Sequence, residues 1–261
     1  MKFKILCVLL FLGLSACAQI PSKEETEKST EQEEPSQLNL PKQALTAPIL
    51  FDFLLGEVSL QRGKLDIAIS RYLKLAKSTR DPRLAKRATE IALHAGHPTA
   101  AEQAVSLWVE LDPDSVEARQ TIAALLVNLG KLDMARPHLE KLLASEKDGI
   151  GNAFMQLNQL LSRNPNKEET LLLIQQLAKP YAALPEVHFA TSQAAWFAQQ
   201  HELALEEMKK ALALRPDWEL AAVHNGRMLQ RVSNIEAAGF YRDYLDSYAG
   251  ANDVRIAYAR I

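Results

Sequence analysis

The chain has 261 residues, 48% of them hydrophobic, with a formal net charge of −2. That length is ample for a packed core, and the near-neutral charge gives no field that would draw the protein to nucleic acid. Alanine and leucine are abundant and there are only 10 glycines, which favours an all-α fold.

Lys2 and Lys4 precede an apolar run over residues 5–14. Such a run is too short to span a bilayer, which takes roughly 20 residues as a helix. A positive start, a short apolar run and small residues behind it describe a secretory signal. Leu14-Ser15-Ala16-Cys17 resembles the lipobox of bacterial lipoproteins. The resemblance implies cleavage between Ala16 and Cys17, which removes residues 1–16 as a signal peptide, and lipidation of Cys17. Several acyl chains anchor a protein firmly where one does not. Ala18 stands where an aspartate would imply retention at the inner membrane, so the resemblance points to the outer membrane with the body facing the periplasm. The two cysteines are Cys7, which leaves with the signal, and Cys17. The mature body then has no thiol for a disulfide, a metal or a nucleophile.

Residues 17–47 contain the stretch PSKEETEKSTEQEEPSQ, polar, acidic and without aromatics. It cannot bury enough apolar surface to offset its ordering entropy and reads as a disordered tether. About 28 such residues reach on the order of 30 Å.

From residue 48 to 261 the sequence repeats. Gly63/Ala68/Tyr72, Gly96/Ala101/Val105 and Gly130/Ala135/Leu139 share one spacing, and their glycines lie 33 and 34 residues apart. A fourth clear copy is Ala204/Met208/Ala211 with Pro216. Copies start near Ile49, Pro82, Val116, Pro185 and Glu219. Residues 147–184 read as two helices broken at Asn164-Pro165, without the small alanine, and make a divergent repeat. The glycine suits a left-handed helix end, the alanine a close helix crossing, and the proline a helix stop. Leu55-Gly56, Ala68 and Tyr72, then Ala101 and Pro113, Ala135, Ala204, Ala211 and Pro216, and Gly226 with Ala238 carry a resemblance to the tetratricopeptide repeat, a helix–turn–helix unit of 34 residues. The resemblance implies an all-α solenoid of about six repeats. Residues 253–261 read as the first half of a further repeat helix, as though the chain stopped inside a longer solenoid.

No catalytic motif is present. His94 and His97 have an HxxH spacing but no evident third metal ligand, and neither HExxH, a phosphate loop nor G-x-S-x-G occurs. Neither a catalytic residue, a metal site nor a cofactor is expected. In a repeat stack the first helix of each pair lines the concave face. In the first repeat those positions are Leu50, Phe53, Glu57, Leu60 and Gln61. In the fifth they are Phe189, Gln193, Trp196 and Phe197, and Arg227 and Arg231 follow in the sixth. Aromatics beside arginines are enriched in interface hot spots, so these six residues form the expected protein-binding groove. Packing between repeats is the competing fate for the aromatics.

Residues 51–96, with LLGE-x-x-x-QRG, Thr79-Arg80-Asp81-Pro82 and RATEIAL, resemble the tetratricopeptide lipoprotein adaptor of a carboxyl-terminal processing protease. In that family the adaptor binds the protease and delivers cell-wall hydrolases to it. The resemblance implies a non-catalytic adaptor for periplasmic proteins. A pilotin-like escort for an outer-membrane secretin, and a carrier for a small ligand or glycan, are the alternatives.

Overall fold

The computed structural model describes residues 41–146 and 149–261. The expected signal, the Ala16–Cys17 cleavage site and the tether up to residue 40 lie outside the described residues. Among the described residues there is no strand, and thirteen α-helices follow one another. They are α1 (Ala47–Gln61), α2 (Leu65–Thr79), α3 (Pro82–His94), α4 (Pro98–Leu111), α5 (Val116–Asn128), α6 (Leu132–Ser145), α7 (Ile150–Leu161), α8 (Lys167–Ala178), α9 (Pro185–Phe197), α10 (His201–Leu214), α11 (Glu219–Val232), α12 (Asn234–Ser247) and α13 (Asn252–Tyr258). A 3₁₀ turn, Lys179–Tyr181, follows α8. None of the described helices is long and apolar enough to cross a membrane.

Local chemistry sets the helix starts. Asp81 caps α3 by accepting from the Arg83 amide at 2.9 Å, with Pro82 in the first turn where its missing N–H costs nothing. Ser115, Asn166 and Ser233 cap α5, α8 and α12 in the same way. The expected starts at Pro82, Val116, Pro185 and Glu219 are met, and the first helix begins at Ala47 rather than Ile49.

The turns inside the pairs repeat one hydrogen-bond pattern. Gly63, Gly96 and Gly130 have φ of 69°, 67° and 72°. The next amide in each case reaches back to a carbonyl five residues earlier: Lys64 to Ser59, His97 to Ala92 and Lys131 to Leu126. This is the Schellman closure that satisfies a helix's last carbonyls. Gln199 takes the same place between α9 and α10 with φ of 63°, and Gln200 reaches back to Ala195 at 2.9 Å. Nothing in the residue pattern around 199 foretells a left-handed glutamine.

Where the two helices of a pair cross, small buried residues recur. They are Gly56 and Ala68 in the first pair, Ala123 and Ala135 in the third, and Ser192 in the fifth, which donates to the Ala204 carbonyl at 2.6 Å. The buried alanine stands at the fourth residue of α2, α4, α6 and α10. In α12 that place belongs to Ala237, which is fully buried, and not to Ala238, which is only partly covered. The expected register is one residue late because Ser233 alone separates α11 from α12.

In the divergent pair Asn158 and Thr170 occupy the crossing positions, both buried. Helix α7 leans on α9, α8 lies on α6 and α9, and α7 makes almost no direct contact with α8. The pair is splayed where its neighbours are closed. One core cluster runs from Ala68 to Met228, and a second, built on Tyr241, Tyr244 and Val254, joins α11, α12 and α13. Together these features make the body an all-α solenoid of tetratricopeptide-type hairpins.

Candidate binding cleft between the fifth and sixth repeats

A cleft of about 230 Å³ opens between α9, α10 and α11. Gln193, Trp196 and Phe197 come from α9, Met208 from α10, and His224, Arg227, Met228 and Arg231 from α11. Met208 and Met228 are buried and form its floor. Five of the six residues expected in a groove therefore line one space. The sixth does not.

Phe189 is 1% exposed. Its ring lies 4.9 Å from that of Trp218 and meets His224 edge-on at 5.1 Å. Trp218 belongs to the turn before α11 and is itself covered by the Arg215 guanidinium at 4.5 Å. Phe189 is packed against the inter-repeat turn that carries Trp218, the competing fate for an aromatic at this spacing. It supports the cleft from below.

Polar order runs through the cleft wall. Asn158 donates from its side-chain amide to Gln193 Oε1, and Gln193 Nε2 approaches His224 Nε2 at 3.4 Å. Burial, and then the Arg227 charge, hold His224 below the ordinary histidine range. The ring is therefore neutral at pH 7 and can accept the Gln193 proton. The Trp196 ring meets that of His201 at a tilt of 53° with centroids 4.3 Å apart, and Phe197, more than half exposed, has Lys167 Nζ 5.8 Å from its ring.

Arg227 and Arg231 lie one turn apart and both are exposed. The cleft lining contains no carboxylate. Arg215, a short way off, is paired with Glu186, whereas neither cleft arginine has an acidic partner among the described residues. Arg231 also sits in the last turn of α11, where a cation favours the helix dipole. The arrangement suits a ligand that brings a carboxylate for the guanidinium groups and an apolar side chain for Trp196 and Phe197.

A second cleft escaped the sequence. About 350 Å³ opens between α5, α6 and α7, lined by Ala123, Leu139, Leu143, Leu157 and Leu160 with Gln120 and Glu146 at its edge. It lies beside the splayed pair, on the side of α7. Among the described residues no group of three His, Cys, Asp or Glu could hold a metal ion. His97 is occupied with Asp66 at 3.0 Å, which separates it from His94 in role.

No family model matches the chain. The chain is similar to a tetratricopeptide (TPR) repeat-containing protein of Pseudomonas aeruginosa, 31% identical over 155 residues, covering 52% of this chain and 26% of the relative. It thus spans about a quarter of that relative's length. Among solved structures it resembles the C-terminal part of a TPR repeat-containing protein from Cytophaga hutchinsonii (TM-score 0.42, 14% identity, 76% of this chain and 79% of that one). It also resembles the type IV pilus biogenesis factor PilW (TM-score 0.41, 12% identity, 81% and 99%) and YrrB, a TPR protein with an unusual peptide-binding site (TM-score 0.37, 18% identity, 66% and 87%). None of the three reaches a TM-score of 0.5, and the fold assignment rests on the helix pairing itself.

Proposed function

We propose that this chain is a non-catalytic adaptor that captures periplasmic proteins through the cleft between the fifth and sixth repeats. One observation carries the reading. Two exposed arginines and two aromatics converge on a space that holds no acid. Cations without an acid, beside solvent-accessible aromatics, suit a partner that brings the missing carboxylate.

On the same reading Cys17 carries the lipid and holds the body at the outer membrane, facing the periplasm, with the acidic segment before α1 as its tether. The partners are a carboxyl-terminal processing protease and its cell-wall hydrolase substrates. The sequence likeness of residues 51–96 to that adaptor family supports this, and the matched relative supports a TPR body alone. Capture from a periplasmic extract tests it, with identification of the bound proteins by mass spectrometry. Recovery of a protease with hydrolases is expected. A secretin in their place would favour the pilotin alternative, and no protein partner would favour a small-ligand carrier.

A further inference from the structure

Asn158, Gln193 and His224 belong to α7, α9 and α11, the first helices of three successive pairs, and form one hydrogen-bonded chain. As it stands the chain runs one way. The Asn158 amide donates to Gln193 Oε1, and Gln193 Nε2 lies 3.4 Å from His224 Nε2, donating to it while the ring is neutral. The same side chains can carry the chain the other way. A primary amide presents a donor and an acceptor that exchange places when the group turns over. With both amides turned, His224 donates to Gln193 Oε1 and Gln193 donates to Asn158 Oδ1. A second proton on the ring therefore leaves no member of the chain without a partner.

What opposes that proton is the ring's surroundings. Burial comes first and the Arg227 charge, three residues on along α11, comes second. Helix α9 brings only Gln193 and the edge of Phe189, and α10 brings the neutral Met208. The turn before α11 brings Trp218, and the Arg215 above it is already paired with Glu186. Glu219, at the start of α11, is engaged by the Asp253 amide at 2.9 Å. Burial pushes Tyr241 of α12 up, so that it stays uncharged. His201 stands against Trp196, on the far wall of the cleft. The lining itself holds no carboxylate. A ligand carboxylate beside Arg227 changes this balance. It offsets the guanidinium charge and supplies an opposite charge, which within about 4–6 Å favours a group's charged form by about 1–3 pKa units.

We propose that His224 is the proton-linked group of the cleft: a ligand carboxylate bound beside Arg227 draws a proton from the medium onto the His224 ring, so that capture of an acidic partner tightens as the medium acidifies. This regulation presupposes that the cleft is where the partner binds. The coupling is reciprocal, since a proton that favours the ligand is favoured by it equally. At neutral pH and above, the ring is neutral with the cleft empty or filled, and affinity is flat. As pH falls the filled cleft takes up its proton first, and affinity climbs until the empty cleft is protonated too.

The test uses the full chain with Cys7 and Cys17 changed to serine, and N-acetyl-leucine as the probe. The probe's carboxyl titrates near pH ~3.5, so it remains an anion across the range measured. Its affinity, read by NMR titration, is expected to rise ~5-fold between about pH 7.5 and pH 5.5. N-acetyl-leucinamide, which lacks the charge, should show no such rise. His224→Gln should bind the acid equally at the two pH values, whereas His201→Gln should keep the parent's pH dependence. In the parent, the ring-nitrogen titration of His224 should move to higher pH when the probe is present, which a merely structural histidine would not do. Binding of the acid that is independent of pH, or a pH dependence that survives in His224→Gln, overturns the proposal and leaves the cleft as a binding site. So does a His224 titration that the bound probe does not move. No binding of the acid at any pH removes the carboxylate-binding cleft and its regulation together.

Discussion

The ring of Tyr241 occupies the space that a Cβ on Gly226 would need. Helices α11 and α12 approach closely because residue 226 has no side chain, and Tyr241 donates from its hydroxyl to the Val223 carbonyl at 3.1 Å across the same gap. Gly226→Ala gains about 1 kcal/mol in helix propensity but forces the ring and its hydrogen bond to move, at a cost of about 1–3 kcal/mol or more. Net destabilisation is expected in a denaturant melt. Gly239 lies in α12 with open space where a Cβ would stand, so Gly239→Ala should stabilise by about 1 kcal/mol. If both substitutions move stability the same way, the close approach is not what requires Gly226.

Gln199 is the non-glycine member of a set whose other members are Gly63, Gly96 and Gly130. A left-handed conformation costs an L-residue roughly 1–2 kcal/mol relative to glycine. Gln199→Gly is therefore expected to raise stability by about 1 kcal/mol, after allowing for the added freedom of the unfolded chain. Gly130→Ala should lower it by a similar amount. A melting curve for Gln199→Gly that coincides with the parent's would show that the turn relaxes without strain.

The repeat is legible because its physics is local. Proline and Ser/Asp/Asn caps mark the helix starts, and glycine marks three of the turns, so spacing alone recovers the pairs. What escapes depends on neighbours distant in sequence. Phe189 carries the same helical spacing as Trp196, and only the position of Trp218 decides that one is covered and the other half open. Spacing points to Ala238 in place of Ala237 because it assumes a turn that α11 and α12 do not have. The splay of α7 from α8 shows only once both helices are placed, with Asn158 of α7 bonded across to Gln193 of α9. Hydropathy also marks Leu50 and Phe53 as an inner face, without showing that α1 turns its polar residues to its neighbour.

The cleft makes a separable prediction about binding. Trp196→Ala is expected to reduce partner capture ~30-fold, the effect of losing an interface aromatic. Arg227→Gln with Arg231→Gln should reduce it at least as much and flatten its dependence on salt, since the charges that salt screens are gone. The arginine pair should change melting stability by less than about 1 kcal/mol, because both are exposed and only Arg231 has a helix-dipole role. Undiminished capture by a folded double variant, measured by surface plasmon resonance against the recovered partner, would remove the cleft from the binding surface.

His224 gives the cleft a pH signature. Burial first, and the nearby Arg227 second, lower its affinity for a proton in the folded chain. The unfolded chain has an ordinary histidine that titrates near pH ~6.5. Below that value the unfolded state takes up a proton that the folded state declines. Stability is therefore at its full value above about pH 6.5 and falls with pH until the folded ring also protonates. His138 is lowered as well, by burial and then by Arg119 and Lys141, and contributes with the same sign. It is common to parent and variant, so a His224→Gln chain isolates the cleft. Glutamine retains an acceptor for Gln193 and cannot titrate. Between about pH 7.5 and pH 5.5 the parent is expected to lose more melting temperature than His224→Gln. Equal losses in the two chains would mean that His224 is free to ionise in the fold, and that the Arg227 charge does not reach it.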